Sequence, residues 1–136
     1  MCPYELIELP ANRIPALRVL TMPKDANAYG SIFGGWMMSQ VDIAGAAEAM
    51  TLARGAVVTV AVNAFQFKEP VHVGDMVSFY AAPLRVGRTS VTIKVEVFAE
   101  RNPVDPEVVK VTEATLTYVA VDAAGKPRQI VKADKA

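Results

Sequence analysis

Cysteine, histidine and net charge are all scarce in this chain, and each scarcity excludes something. Its 136 residues include one cysteine and one histidine, and its 14 basic side chains balance 14 acidic ones. A single thiol, Cys2, excludes an internal disulfide and a cysteine metal cluster; it reads as an incidental terminal residue. With one histidine besides, there are too few soft ligands for a metal site. Such sparing use of cysteine suits a reducing cytoplasm. Neutrality argues against a partner held by phosphate neutralisation, so nucleic acid is not expected. No uncharged apolar run reaches about 18 residues, so no membrane span is expected. Glu5, Glu8 and Pro10 stand where a signal peptide would need an apolar core. No internal repeat or low-complexity tract appears.

What the chain does have is apolar surface. Hydrophobic residues make up 52% of it, enough for one domain with a real core. We read a single domain over residues 1–136, with 1–15 as an N-terminal arm with room for a short strand and 128–136 as a basic tail. Its organising stretch is DANAYGSIFGGWMMSQVDIAGAAEAMTLARG, from Asp25 to Gly55. Gly34 to Arg54 reads as a helix of about five turns, with Gly55 as its stop. This helix is apolar nearly all round, which points to a buried element. The Ala44-Gly45-Ala46-Ala47 run removes bulk, so something should pack close to the backbone there. Asp42 is the odd residue. An unpaired buried carboxylate is costly, so it is either paired with a base or backbone amides, or it is catalytic.

Strands surround this helix. Ala16 to Met22 is a short one, ended by Pro23. Val57 to Lys68 is long, and its apolar positions switch from even to odd numbers, which suggests burial on both faces or a bulge. Met76 to Val86 follows. Val91, Ile93, Val95 and Val97 alternate with polar residues in a strand of period two. Val108 to Val121 puts Ala114, Leu116, Tyr118 and Ala120 on one face. Short connections imply mostly antiparallel pairing. The expected class is α+β, one helix against a five-stranded sheet. One helix cannot cover such a sheet, so the surplus apolar surface should be buried between subunits.

The blocks DANAYGSIFGGWMMSQVD, VVTVAVNAFQFKEPVHVGD, VGRTSV and EATLTYVAVDAAGKPR, in that order, resemble the hotdog-fold acyl-CoA thioesterases. The small bacterial enzymes of broad specificity and the cytosolic acyl-CoA hydrolases of animals are the nearest in kind. The resemblance runs from about Leu17 to Pro127. It implies a hotdog fold, in which a mostly antiparallel five-stranded sheet wraps the central helix. It also implies homodimers, often trimers of dimers, and hydrolysis of acyl-CoA to a free acid and coenzyme A. No cofactor is implied, because coenzyme A is part of the substrate. The family's functional residues map onto Asn27 and Asp42. The acyl pocket carries no motif, so chain length does not carry over.

These residues suit the chemistry. Asp42 can deprotonate a water or attack the thioester directly. Asn27 can hold the water or donate to a developing oxyanion. Gly34 and Gly35 open the helix, where free N–H groups can polarise a carbonyl. Asp42 lies seven residues beyond Gly35, roughly 10 Å along the axis. One thioester carbon can hardly touch both groups of one chain, so the site should be shared across a dimer. For the coenzyme A phosphates the candidates are Arg88, Thr89, Ser90, Lys68 and Lys126, with Arg128 as a further one. Gln40 or Glu48 could support Asp42. Met37, Met38 and Met50 read as core, or as lining for the acyl chain. The alternatives are a hydratase or dehydratase on the same fold, which needs a histidine near the helix, and a non-catalytic acyl-CoA-binding protein. His72, the only histidine, falls in a turn far along the chain.

Overall fold

The computed structural model describes residues 8–130. Element order is β1 (Leu17–Leu20), a 3-10 turn (Pro23–Asp25), α1 (Gly34–Ala53), β2 (Val57–Phe67), β3 (Met76–Val86), β4 (Ser90–Arg101) and β5 (Glu107–Ala120). The strands form one sheet in the order β1-β3-β4-β5-β2, every neighbouring pair antiparallel. Each element lies within two residues of its expected span except β4, which runs on past the Val91–Val97 alternation to Arg101. Residues 8–15 of the N-terminal arm form no strand, and residues 1–7 lie outside the described part.

The core forms between α1 and one face of the sheet. β4 contributes Val91, Ile93, Val95 and Val97, and β5 contributes Ala114, Leu116, Tyr118 and Ala120, all buried. Alternation along a β-branched strand places every second side chain on that face. The helix answers with Met37, Val41, Ala44, Gly45, Ala49 and Ala53, and it touches all five strands. The opposite face of the sheet is closed differently. Tyr80 and Phe98 meet edge to face at 5.8 Å, with Arg13 5.3 Å over the first ring and Lys110 6.0 Å over the second. Beside them Lys68, Lys94 and Lys110 pair with Glu113, and Lys110 and Arg13 pair with Glu96.

Three local readings change. The residue in the left-handed region at the helix end is Arg54 (φ 57°), not Gly55. Gly55 is needed for another reason: a Cβ there would lie 2.7 Å from the Arg128 guanidinium. Arg128 donates to the carbonyls of Ala53 and Val121, satisfying one of the free carbonyls of the helix C-terminus. Residues 128–130 are therefore packed rather than tail, and Ile130 is in the core. Finally, the helix is not wrapped all round. Ile43 and Met50, close together on its other side, remain 52% and 45% exposed.

The two sheet edges are unlike. β1 covers β3 only as far as Phe79, and the uncovered part carries Pro83 and a register shift. Proline lacks an N–H and a bulge twists the edge away, so this side resists strand addition. β2 has no proline. It carries register shifts after Thr59 and Asn63, with Ala64 at φ 52°. Val58, Val60 and Val62 are 46%, 55% and 42% exposed along it.

Candidate active site

Asp42 stands in the middle of α1, half-buried, at the seam where the helix passes the edge strand β2. Thr59 on β2 donates its hydroxyl to Oδ1 at 2.7 Å. Tyr118 on β5 shares its hydroxyl proton between the Asp42 backbone carbonyl at 2.8 Å and the same Oδ1 at 3.1 Å. Thr59 and Tyr118 face each other across the β2–β5 ladder. Among the described residues no basic side chain pairs with Asp42. Oδ2 takes no hydrogen bond from them either, so it is free to meet a water or a substrate carbon. Burial, then the Asp42 charge and hydrogen bond, push the Tyr118 phenol far above its ordinary range. It stays protonated and acts only as a donor.

Gly45 explains how a tyrosine reaches the helix backbone. A Cβ at that position would lie 3.1 Å from Cζ of Tyr118, 3.2 Å from Cε2, and closer still to the hydroxyl. The close approach expected at the small-residue run is this one. The polar support expected from Gln40 or Glu48 is absent: neither hydrogen-bonds to Asp42. Helix geometry gives the reason. Residues two and six positions along a helix point to other sides, whereas positions three and four away share a face.

Asn27 sits in the loop before the helix. Its Oδ1 accepts the backbone N–H of Tyr29 at 2.8 Å and of Ser31 at 3.2 Å. Two N–H donors fix which end of the amide is oxygen, and among the described residues nothing accepts from the Nδ2 group at the other end. The turn-forming role and a donor role therefore coexist in one side chain. Three residues after Ser31 the helix begins without a side-chain cap and with no acidic residue in its first turn. Its first N–H groups are left open to an oxygen from elsewhere. At Gly34 a Cβ would touch the Phe67 ring at 3.4 Å, while at Gly35 no described residue comes within 4 Å. Packing within one chain thus does not require glycine at position 35. A cleft of about 330 Å³ opens here, lined by Ile32, Gly34, Met37, Phe67 and Lys68 among others.

The coenzyme A candidates do not come together in one chain. Lys68 lines that cleft at the helix N-terminal end and is paired with Glu113 at 3.1 Å. Arg88, Thr89 and Ser90 lie at the other end of the sheet, where Ala120 donates to the Thr89 carbonyl and Ile130 to that of Arg88. Lys126 belongs to that end too, in a turn held by Asp122. The length of β2 separates the two groups, about 30 Å for a strand of this size. Arg128 is spent on the helix end. His72 lies nearer to the site than its sequence position suggests: its backbone bridges to Ser31, although its side chain is exposed. Among the described residues no cluster of His, Cys, Asp and Glu could hold a metal ion, and no helix is long and apolar enough to cross a membrane.

Residues 29–105 match the family model described as the thioesterase superfamily. The chain is 51% identical over 116 residues to acyl-CoA thioester hydrolase YciA of Escherichia coli (strain K12), covering 84% of this chain and 88% of that one. Among solved structures it resembles a hexameric hotdog fold thioesterase of Campylobacter jejuni, with TM-score 0.83, 43% identity and coverage of 86% and 90%. It also resembles an acyl-CoA hydrolase from Staphylococcus aureus in complex with butyryl coenzyme A, coenzyme A and coenzyme A disulfide. That match has TM-score 0.78, 27% identity and coverage of 85% and 70%.

Proposed function

The chain belongs to the thioesterase superfamily, and from that premise we propose that it hydrolyses acyl-CoA thioesters to a carboxylic acid and coenzyme A on a hotdog fold. One observation carries the assignment of the site. Asp42 is a carboxylate with no cationic partner among the described residues, held on one oxygen by two hydroxyls, in a seam open to solvent.

In this reading the thioester carbonyl lies at the uncapped helix start, where the N–H groups of Gly34 and Gly35 and the Asn27 amide stabilise the developing oxyanion. Asp42 Oδ2 takes a proton from the attacking water as the water oxygen bonds to the carbonyl carbon. The C–S bond then breaks, and the thiolate leaves with the proton returned from Asp42. The same oxygen could instead attack the carbon and form an anhydride that water later opens. Single turnover in 18O-labelled water separates these routes, because only the anhydride route can place label in the Asp42 carboxylate. Water, substrate and side chains suffice for either route.

Asp42 and the glycine pair of one chain are roughly 10 Å apart along the helix, so the working site combines Asp42 of one subunit with Asn27 and the glycine turn of another. The open β2 edge and the apolar helix side with Ile43 and Met50 are the surfaces such a homodimer would bury, and dimers would pair further into trimers of dimers. Between subunits, the two separated sets of coenzyme A candidates could also act on one ligand. A cytoplasmic setting belongs to the same reading.

The test is thiol release from a panel of short- to long-chain acyl-CoAs. Asp42→Asn should lose about 10²-fold or more in kcat, the scale of a missing general base, without a change in melting temperature. Mixing inactive Asp42→Asn with inactive Asn27→Ala subunits should restore part of the activity, since each mixed dimer carries one intact site. Full activity in Asp42→Asn, or in an isolated monomer, would overturn the reading.

A further inference from the structure

We propose that Thr59 and Tyr118 are positioning residues for Asp42: a cross-strand pair of hydroxyls that binds one carboxylate oxygen and leaves the other as the reactive atom. The inference rests on the role given to Asp42 above. Directly opposite residues on antiparallel strands hold their Cβ atoms about 5 Å apart, close enough for two side chains to converge on a single acceptor. Thr59 and Tyr118 are such a pair, and both donate to Asp42 Oδ1.

Tyr118 is fully buried, so its ring is held by the packed core, and Gly45 clears the space its hydroxyl occupies. It grips the helix at two points of one residue, the Asp42 carbonyl and the Asp42 carboxylate. An aspartate on an open helix face would sample several rotamers. Here the plane of the carboxylate is set from the sheet, and Oδ2 is turned outward. The groups that face Asp42 are Thr59 from β2, Tyr118 from β5 and, within the helix, the side-chain-free Gly45. Among the described residues no lysine, arginine or histidine joins them. The two hydroxyls therefore hold the carboxylate in one orientation, and their loss should leave it mobile.

The experiment compares full-length wild type with Tyr118→Phe, Thr59→Val, Thr59→Ser and Asp42→Asn, measuring kcat and KM separately by thiol release. Tyr118→Phe and Thr59→Val should each lower kcat about 10-fold, the scale of a displaced reacting group, with KM little changed. Thr59→Ser should restore wild-type kcat, and the double variant should lose less than the product of the two single losses, because both hydroxyls serve one acceptor. Thr59 lies at the exposed rim, so Thr59→Val keeps the test decisive should Tyr118→Phe fail to fold. Wild-type kcat in the folded variants, or no rescue by Thr59→Ser, alongside an inactive Asp42→Asn, would overturn the positioning role alone. An active Asp42→Asn would overturn both readings.

Discussion

Gly45→Ala tests the packing on which the site depends, and it does so by the sign of an effect. In the middle of a helix this exchange ordinarily stabilises by about 1 kcal/mol, because alanine loses less backbone freedom. Here the new methyl would lie 3.1 Å from Cζ of Tyr118 and 3.2 Å from Cε2, with the hydroxyl nearer still. The protein has two responses. Either the ring stays and the core is overpacked, costing about 1–3 kcal/mol, or it retreats and its buried hydroxyl loses the Asp42 acceptors, costing a similar ~1–3 kcal/mol. These are alternatives and do not add. Two ring atoms and the hydroxyl oxygen inside ordinary contact distance argue for the upper half of that range. Less the helix gain, the net loss is about 1–2 kcal/mol. With about 2.1 cal/mol/K of unfolding entropy per residue, a chain of this length moves roughly 3.5 °C per kcal/mol. The melting temperature should fall by about 4–7 °C, read at one protein concentration because assembly shifts it. Turnover should fall too, and Tyr118→Phe added to Gly45→Ala should recover part of the stability. A variant that melts a few degrees above wild type with full activity would refute the argument.

Two further outcomes follow from other contacts. Arg128→Ala removes the donor to the Ala53 and Val121 carbonyls and should cost about 1–2 kcal/mol in a urea titration, while KM for acyl-CoA stays unchanged; a raised KM would return Arg128 to the substrate. Hydrogen bonds from Lys68 and Lys94 hold the Glu113 carboxyl at about 2, against an ordinary 4.5. A carboxyl whose pKa is lower in the folded state stabilises above its unfolded value and ceases to do so as pH falls. The stability advantage of wild type over Glu113→Gln should thus be full above about pH 4.5 and shrink as pH drops toward 2. Added salt should shrink it as well, since the pairs are partly exposed; a constant difference across that range would count against the pairing.

The sequence by itself determined the element order, the extent of the long helix and the buried face of the late strands. These depend on periodicity, on glycine and proline, and on apolar content, all of which are local. It also singled out Asp42, since a carboxylate among alanines and methionines is anomalous wherever the chain folds, and it marked the Ala44–Ala47 run as a point of close approach. It could not say what approached. Tyr118 lies 76 positions from Asp42 and Thr59 lies 17, and only the β2–β5 register puts their hydroxyls on one carboxylate oxygen. The same limit explains Arg128, which looked like a charge in a basic tail until the chain returned to the helix end, and His72, whose turn folds back to Ser31. Local composition fixes which segments can be helix or strand. Which polar atoms meet is decided by long-range pairing, where shifting a strand by one residue would turn Thr59 to the other face.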